Sequence, residues 1–183
     1  MNLRPRRSLI RPAAQAAAVD AAFELVERPG VLTVPGFRFA HARVRGPYQP
    51  WTRVSTLDHV AQTLETHAIL RTGPAFGIYH DLPFSENGID AWTADLGFPV
   101  EPDVRLPALP HLRTLDLPDV EAVGLRYRGD LSSFPGALQL LVDWASHKDL
   151  DLHGCLMERF HVSDALAAVE ERDVFVARTP LPR

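Results

Sequence analysis

Few residues in this chain are arranged for chemistry; one acid to weigh is Glu158, which from the residues alone reads as a surface carboxylate on an exposed sheet face or as a site acid. It lies in the run Leu156-Met157-Glu158-Arg159-Phe160-His161, whose bulky residues suit a pleated strand. Side chains alternate across a strand, so Glu158 and Phe160 share one face while Met157, Arg159 and His161 share the other. A carboxylate beside a ring can pair with a cationic ligand, or act as a general acid or base where water is excluded. Flat rings stack on planar molecules and bury large apolar areas. The ring-bearing candidates for such a wall are Tyr48, Trp51, Tyr79, Trp92, Phe98, Tyr127, Phe134 and Phe160. Trp144 falls between apolar helix positions and reads as core. Other catalytic patterns are missing: there is no Gly-x-Ser-x-Gly elbow, no glycine-rich phosphate loop and no His-Glu-x-x-His pair. His59 and His67 are too widely spaced on one helix for paired ligation. His80 and His161 point away from the Glu158 face and read as surface or packing residues. The lone Cys155 excludes an internal disulfide and a cysteine-based zinc site, and reads as packing. No metal or cofactor is expected.

The elements that must carry these residues occur twice. Phe37 to Tyr48 and Val120 to Leu131 share the core Arg-apolar-Arg-Gly, at Arg43 to Gly46 and Arg126 to Gly129, offset by 83 residues. Each reads as a strand stopped at a glycine and followed by a helix. In the first helix Val54, Leu57, Val60, Ala61, Leu64 and Ala68 recur at steps of three and four, with Ser55 and Asp58 placed like an N-terminal capping pair. In the second, Leu138, Leu141, Val142 and Ala145 do the same, opened by Ser132, Ser133 and Pro135. Both helices give way to a glycine and a further strand, from Gly73 to His80 and from Gly154 to His161, offset by 81. Closing strands are expected over Ala91 to Val100 and Asp173 to Leu181. In the paired strands Gly77 and Tyr79 stand where the second half has Glu158 and Phe160, so Tyr79 is expected to face Glu158 and donate a hydrogen bond to it or to a ligand.

The expected fold is therefore α+β, a duplicated β-α-β-β unit. Its two antiparallel sheet halves carry one main helix each and are related by a pseudo-two-fold about a central cleft. The chain of 183 residues fits one domain over 23–183, with halves 23–100 and 119–183 and a proline-rich linker, 101–118. Residues 1–22, basic and then alanine-rich, read as a flexible tail or short helix. With 46% hydrophobic and 23% charged residues and no long apolar run, neither disorder nor a membrane span is indicated. A net charge of −4 argues against nucleic acid as the main partner, and the single cysteine fits a reducing cytoplasm.

The order of these motifs resembles the GyrI-like, or AraC-type effector-binding, family over residues 23 to 182. The carrying features are Arg-Tyr-Arg-Gly at 126–129 before a helix, Trp144 within it, Gly154 after it, Glu158-Arg159-Phe160 on the next strand, and the closures Gly97-Phe98-Pro99-Val100 and Thr179-Pro180-Leu181. The resemblance implies that the Glu158 face turns toward a ligand cleft and that Glu158 matches the acidic residue of cation-binding members. Too little sequence precedes Phe23 for a helix-turn-helix head, so the free-standing form is expected. The implied function is binding of a hydrophobic, planar molecule, cations included, as a sensor or resistance protein. Two alternatives follow from the same family: a hydrolase that opens cyclopropane rings of DNA-alkylating natural products with Glu158 and Tyr79, and a protein inhibitor of DNA gyrase.

Overall fold

A computed structural model describes residues 23–46, 50–80, 92–107, 109, 111–130, 133–152, 154–161, 170–179 and 181. In chain order the elements are β1 (Glu24–Val34), β2 (Phe37–Gly46), α1 (Pro50–Thr66), β3 (Ala75–Tyr79), β4 (Trp92–Val100), β5 (Arg113–Leu117), β6 (Val120–Gly129), α2 (Phe134–His147), β7 (Leu156–Phe160) and β8 (Glu170–Ala177). The α+β class and the duplicated unit are as expected. The expectation for 1–22 lies outside the described residues.

The strands form one antiparallel sheet in the order β1-β6-β8-β7-β3-β4-β2-β5. Exchanging the halves maps this order onto itself, with the pseudo-two-fold axis between β3 and β7. The two halves therefore join edge to edge through that pair, instead of remaining separate sheets. Two strands escaped the sequence reading. β1 pairs with β6 of the second half, and β5, inside the segment read as linker, pairs with β2 of the first. Each half thus donates its leading strand to the other. β5 is only five residues long and has prolines nearby, so its alternation is too short to register.

The crossing of these donated strands explains how the sheet buries its second face. Only Pro35 and Gly36 separate β1, at one edge, from β2, next to the other edge; Pro118 and Asp119 do the same for β5 and β6. The sheet must curl until both edges meet at that corner. There the Gly36 amide donates to Asp119 Oδ1 at 2.7 Å, and a Cβ at position 36 would stand 2.6 Å from the Leu117 carbonyl oxygen. Inside the curl, Val34, Phe39, Phe76, Ile78, Met157 and Phe175 form one apolar cluster. On the opposite face Leu57, Val60 and Leu64 of α1 and Leu138, Leu141 and Ala145 of α2 pack on Ala94, Leu96, Val123, Leu125, Val174 and Val176. Each fully buried aliphatic side chain contributes about 1.5–3 kcal/mol.

The helix ends refine the sequence reading. α1 begins at Pro50, one turn earlier than expected, since proline is preorganised for the first turn and needs no amide partner there. Ser55 and Asp58 are consequently helix-interior residues rather than caps, and Ser55 Oγ bonds back to the Thr52 carbonyl at 3.2 Å. Both helices close without glycine. Ala68 and Asp149 adopt left-handed φ of 53° and 51°, and Ile69 and Leu150 amides reach back to the Leu64 and Ala145 carbonyls at 2.9 and 3.0 Å, the Schellman pattern. β8 runs from Glu170 to Ala177, three residues earlier at its start than expected and short of the Thr179-Pro180-Leu181 closure.

Candidate functional site

The centre of the helix-covered face is built on the β3–β7 pair. Gly77 stands opposite Glu158, and Ala75 opposite Phe160. Because Gly77 has no side chain, the Tyr79 ring can lean back across it; a Cβ there would lie 3.4 Å from Tyr79 Cε2 and 3.1 Å from Leu96 Cδ2. The Tyr79 hydroxyl thereby donates a short hydrogen bond to Glu158 Oε2. Both residues are buried, Glu158 completely. The expected meeting of Tyr79 and Glu158 across the halves is thus present as a direct bond.

A carboxylate sealed from water needs a counter-charge. Arg172 on β8 supplies it, with Nη1 3.8 Å from Glu158 Oε1. Arg172 pairs with Phe160 in register, and its guanidinium lies 5.7 Å from the centre of that ring. A second buried guanidinium, Arg53 of α1, lies over the same ring at 4.8 Å. Glu158, Tyr79, Arg172, Phe160 and Arg53 therefore form one buried group joining four elements.

Beside it opens a cavity of about 580 Å³, between α1 and the start of β3. Its walls are Arg53, Leu57, Asp58 and Ala61 from α1, the stretch from Arg71 to Ala75, Phe98 of β4, and Phe160 and His161. Arg71 sits 5.0 Å over the Phe98 ring, so each aromatic wall carries a guanidinium. Of the expected ligand contacts, Phe98 and Phe160 line this cavity. Glu158 and Tyr79 lie in the buried group behind Phe160 and do not line it. Phe134, at the start of α2, is core, with its ring 6.4 Å from that of Tyr79. Tyr127 is core as well, edge-on to Phe23 at 5.7 Å. Tyr48 and the side chains of Trp51 and Trp92 lie outside the described residues. Trp144 packs against the core.

Sequence reasoning missed the arginines, although a signal existed. Arg53 continues the Leu57-Val60-Leu64 stripe one turn back, and Arg172 alternates in phase with Val174 and Val176. A charge in phase with core residues marks a buried charge.

On the curled face, the repeat builds two further clusters. Asp95, fully buried, accepts two 2.7 Å bonds from Arg43, lies 2.7 Å from His80 Nε2 and has His41 Nδ1 at 3.2 Å. Asp173 accepts a 2.6 Å bond from Arg126, with Arg159 at 3.3 Å and His161 Nε2 at 2.8 Å. Burial alone would raise the Asp95 pKa, but the bonds from Arg43, His41 and His80 outweigh it and hold the carboxyl well below the usual range. The Arg43 and Arg126 pKa values are raised in turn by their carboxylate bonds. His80 and His161 are thus held by aspartates facing away from Glu158. Burial pushes the Cys155 thiol up to about 11, against thiolate chemistry at neutral pH. Among the described residues, no group of three or more His, Cys, Asp or Glu side chains could hold a metal, and no helix is long and apolar enough to cross a membrane.

No protein-family model and no curated protein matches the sequence. Solved structures do. The C-terminal domain of EcmrR superposes with a TM-score of 0.69 at 14% identity, covering 84% of this chain and 98% of that domain. The fold is that of the GyrI-like effector-binding domains. EcmrR in its DNA complex aligns with a TM-score of 0.65 at 15% identity over 81% of this chain, which spans only 56% of the EcmrR chain. SAV2435, solved with bound tetraphenylphosphonium, aligns with a TM-score of 0.53 at 5% identity, covering 85% of this chain and 94% of that one. At these identities the GyrI-like likeness concerns the fold.

Proposed function

We propose that this domain binds a hydrophobic, planar small molecule in the cavity beside α1, against Phe98 and Phe160, and that it serves as a sensor or resistance protein by capturing that molecule. The observation that carries the reading is the cavity itself: about 580 Å³, within the roughly 300–1,000 Å³ typical of small-molecule sites, with two rings in its wall and a sheet beneath them. SAV2435, which shares the fold, was solved with tetraphenylphosphonium, a hydrophobic cation, which supports a hydrophobic small molecule as the class of ligand. Binding is favoured over ring-opening hydrolysis because Glu158 is buried, engaged by Tyr79 and Arg172, and set behind the cavity wall rather than in it. A general acid or base must reach the reacting atoms within hydrogen-bond distance.

The test is titration with a planar fluorescent probe, 1-pyrenebutanol, alongside the variants Phe98→Ala and Phe160→Ala. Micromolar binding weakened at least about tenfold by either truncation is the expected result. Equal affinity in wild type and both variants would remove the cavity from consideration. Mass analysis of the recovered probe and of cyclopropane-containing compounds after incubation should return them intact; conversion lost in Glu158→Gln would instead establish the hydrolase.

A further inference from the structure

We propose that Arg71 is a specificity-determining residue of this cavity: the planar ring of the ligand enters between the Phe98 ring and the Arg71 guanidinium, and the guanidinium on its outer face selects electron-rich fused arenes. The inference deepens the binding role proposed above and rests on it.

The Arg71 backbone is fixed while its side chain is exposed. Arg71 bridges to Val100, and the Thr72 amide donates to the Pro99 carbonyl at 2.9 Å, so the stretch is tied to the end of β4 beside Phe98. Gly73 permits that approach: a Cβ there would stand 3.3 Å from Pro99 Cγ, tighter than an ordinary contact. From this anchor the side chain lies over Phe98, its guanidinium 5.0 Å from the ring centre, and both groups line the cavity. Phe160, the other ring of the wall, is held differently. The guanidiniums over it belong to Arg53 and Arg172, both buried, and moving either would disturb the core. Arg71 can swing into water instead. A ring stacked between two partners needs about 7 Å, two contacts of about 3.5 Å each, so the guanidinium has to move out by about 2 Å. A long side chain on a fixed backbone has that reach.

The other half of the repeat carries no such pair. At the 81-residue offset that relates Leu57 to Leu138 and Gly73 to Gly154, Arg71 corresponds to Leu152. The strand register that matches Asp95 to Asp173 matches Phe98 to Val176. Leu152 and Val176 are both buried in the core, whereas Arg71 is exposed. The shared register therefore does not dictate a guanidinium over a ring, and the half that has one is the half where the cavity opens. The face of an electron-rich arene is the negative end of its quadrupole, which attracts a guanidinium and lets that flat group stack on it. Electron-withdrawing substituents reverse the sign of that face, and the attraction with it. Phe98 stacks on electron-poor rings at least as well as on electron-rich ones, so a bias toward the electron-rich ring falls to Arg71.

The test is 1-pyrenebutanol titrated by fluorescence, then displaced by naphthalene or by octafluoronaphthalene, which share a shape and differ in the sign of the ring face. In the exposed variant Arg71→Gln the 1-pyrenebutanol affinity should fall about fivefold. The ratio of naphthalene to octafluoronaphthalene affinity should fall at least about threefold in the same variant, a change that lost packing alone would not produce, and Arg71→Lys should hold the ratio because the charge remains. Added to Phe98→Ala, Arg71→Gln should cost nothing further, since both residues act on one bound ring. Binding that depends on Phe98 or Phe160 but is unchanged or tighter in Arg71→Gln overturns the inference and leaves the binding role standing, and so does a ratio that does not move. Failure of 1-pyrenebutanol to bind overturns the binding role, and the inference with it.

Discussion

Tyr79→Phe deletes one oxygen from the centre of the protein, and the structure sets the size of its effect. Tyr79 is 1% exposed and Glu158 fully buried, so water cannot replace the lost donor. The hydroxyl is the hydrogen-bond donor to Glu158 Oε2 among the described residues, while Arg172 lies nearer the other oxygen, at 3.8 Å from Oε1. A bond to an ionised group is worth about 1.5–3 kcal/mol, and a buried acceptor left without its donor sits toward the upper end. The loss of packing is negligible because the ring remains. We expect Tyr79→Phe to cost about 2–3 kcal/mol, which for a chain of this size lowers Tm by about 5–10 °C. Urea unfolding followed by tryptophan fluorescence and far-UV circular dichroism measures it, provided the slope m is unchanged. Repeating the substitution in a Glu158→Gln background isolates the charge: with a neutral amide as acceptor the cost should drop to about 1 kcal/mol. A cost under about 0.5 kcal/mol in wild type, or the same cost in both backgrounds, would refute the claim that Tyr79 stabilises a buried carboxylate.

Two further stability measurements address the scaffold. Asp95→Asn should cost about 2–3 kcal/mol at pH 7, below the full penalty of a broken buried pair because Arg43 is half-exposed and can turn to water. The folded Asp95 carboxyl is held below its ordinary value, so its contribution is complete above the unfolded pKa of about 4 and fades as pH falls below it. The gap between wild type and Asp95→Asn in urea titrations should therefore narrow from pH 5 to pH 2, and a gap constant over that range would show that the charge is not what stabilises. Ala68→Gly should raise stability by about 0.5–1 kcal/mol in the same assay, because the left-handed φ of 53° strains alanine and not glycine; a destabilised variant would contradict that backbone argument.

Much of the fold was legible because duplication repeats every local signal. Arg43 to Gly46 and Arg126 to Gly129 each end a strand, and the Leu57 and Leu138 stripes each define one apolar helix face. What stayed hidden was non-local. No local pattern says that β1 crosses to β6 or β5 to β2, since that exchange is enforced by two-residue connectors acting on a curled sheet. The candidate site was legible in half. Alternation put Glu158, Phe160 and Tyr79 on the right face, but alternation gives a direction and not a depth. Whether a ring on that face lines a cavity, as Phe160 does, or fills the core, as Tyr127 does, depends on what the opposing helix sends down to meet it.

That dependence gives the repeat its diagnostic value. Where the halves agree, the shared residues hold the scaffold: Arg43, His80 and Asp95 recur as Arg126, His161 and Asp173, in the same ion-paired arrangement on the curled face. Such agreement is what packing two equivalent halves into one sheet requires. Where they disagree, the shared register does not dictate the residue, because the other half carries an uncharged solution at the corresponding positions. Phe134 against Tyr79 is that solution, and Arg53 over Phe160, with Glu158 and Arg172 behind, is the departure from it. Buried charges cost stability unless they are paired, and Glu158 is engaged by Tyr79 and Arg172, which lets a charged group stand behind the Phe160 wall of the cavity.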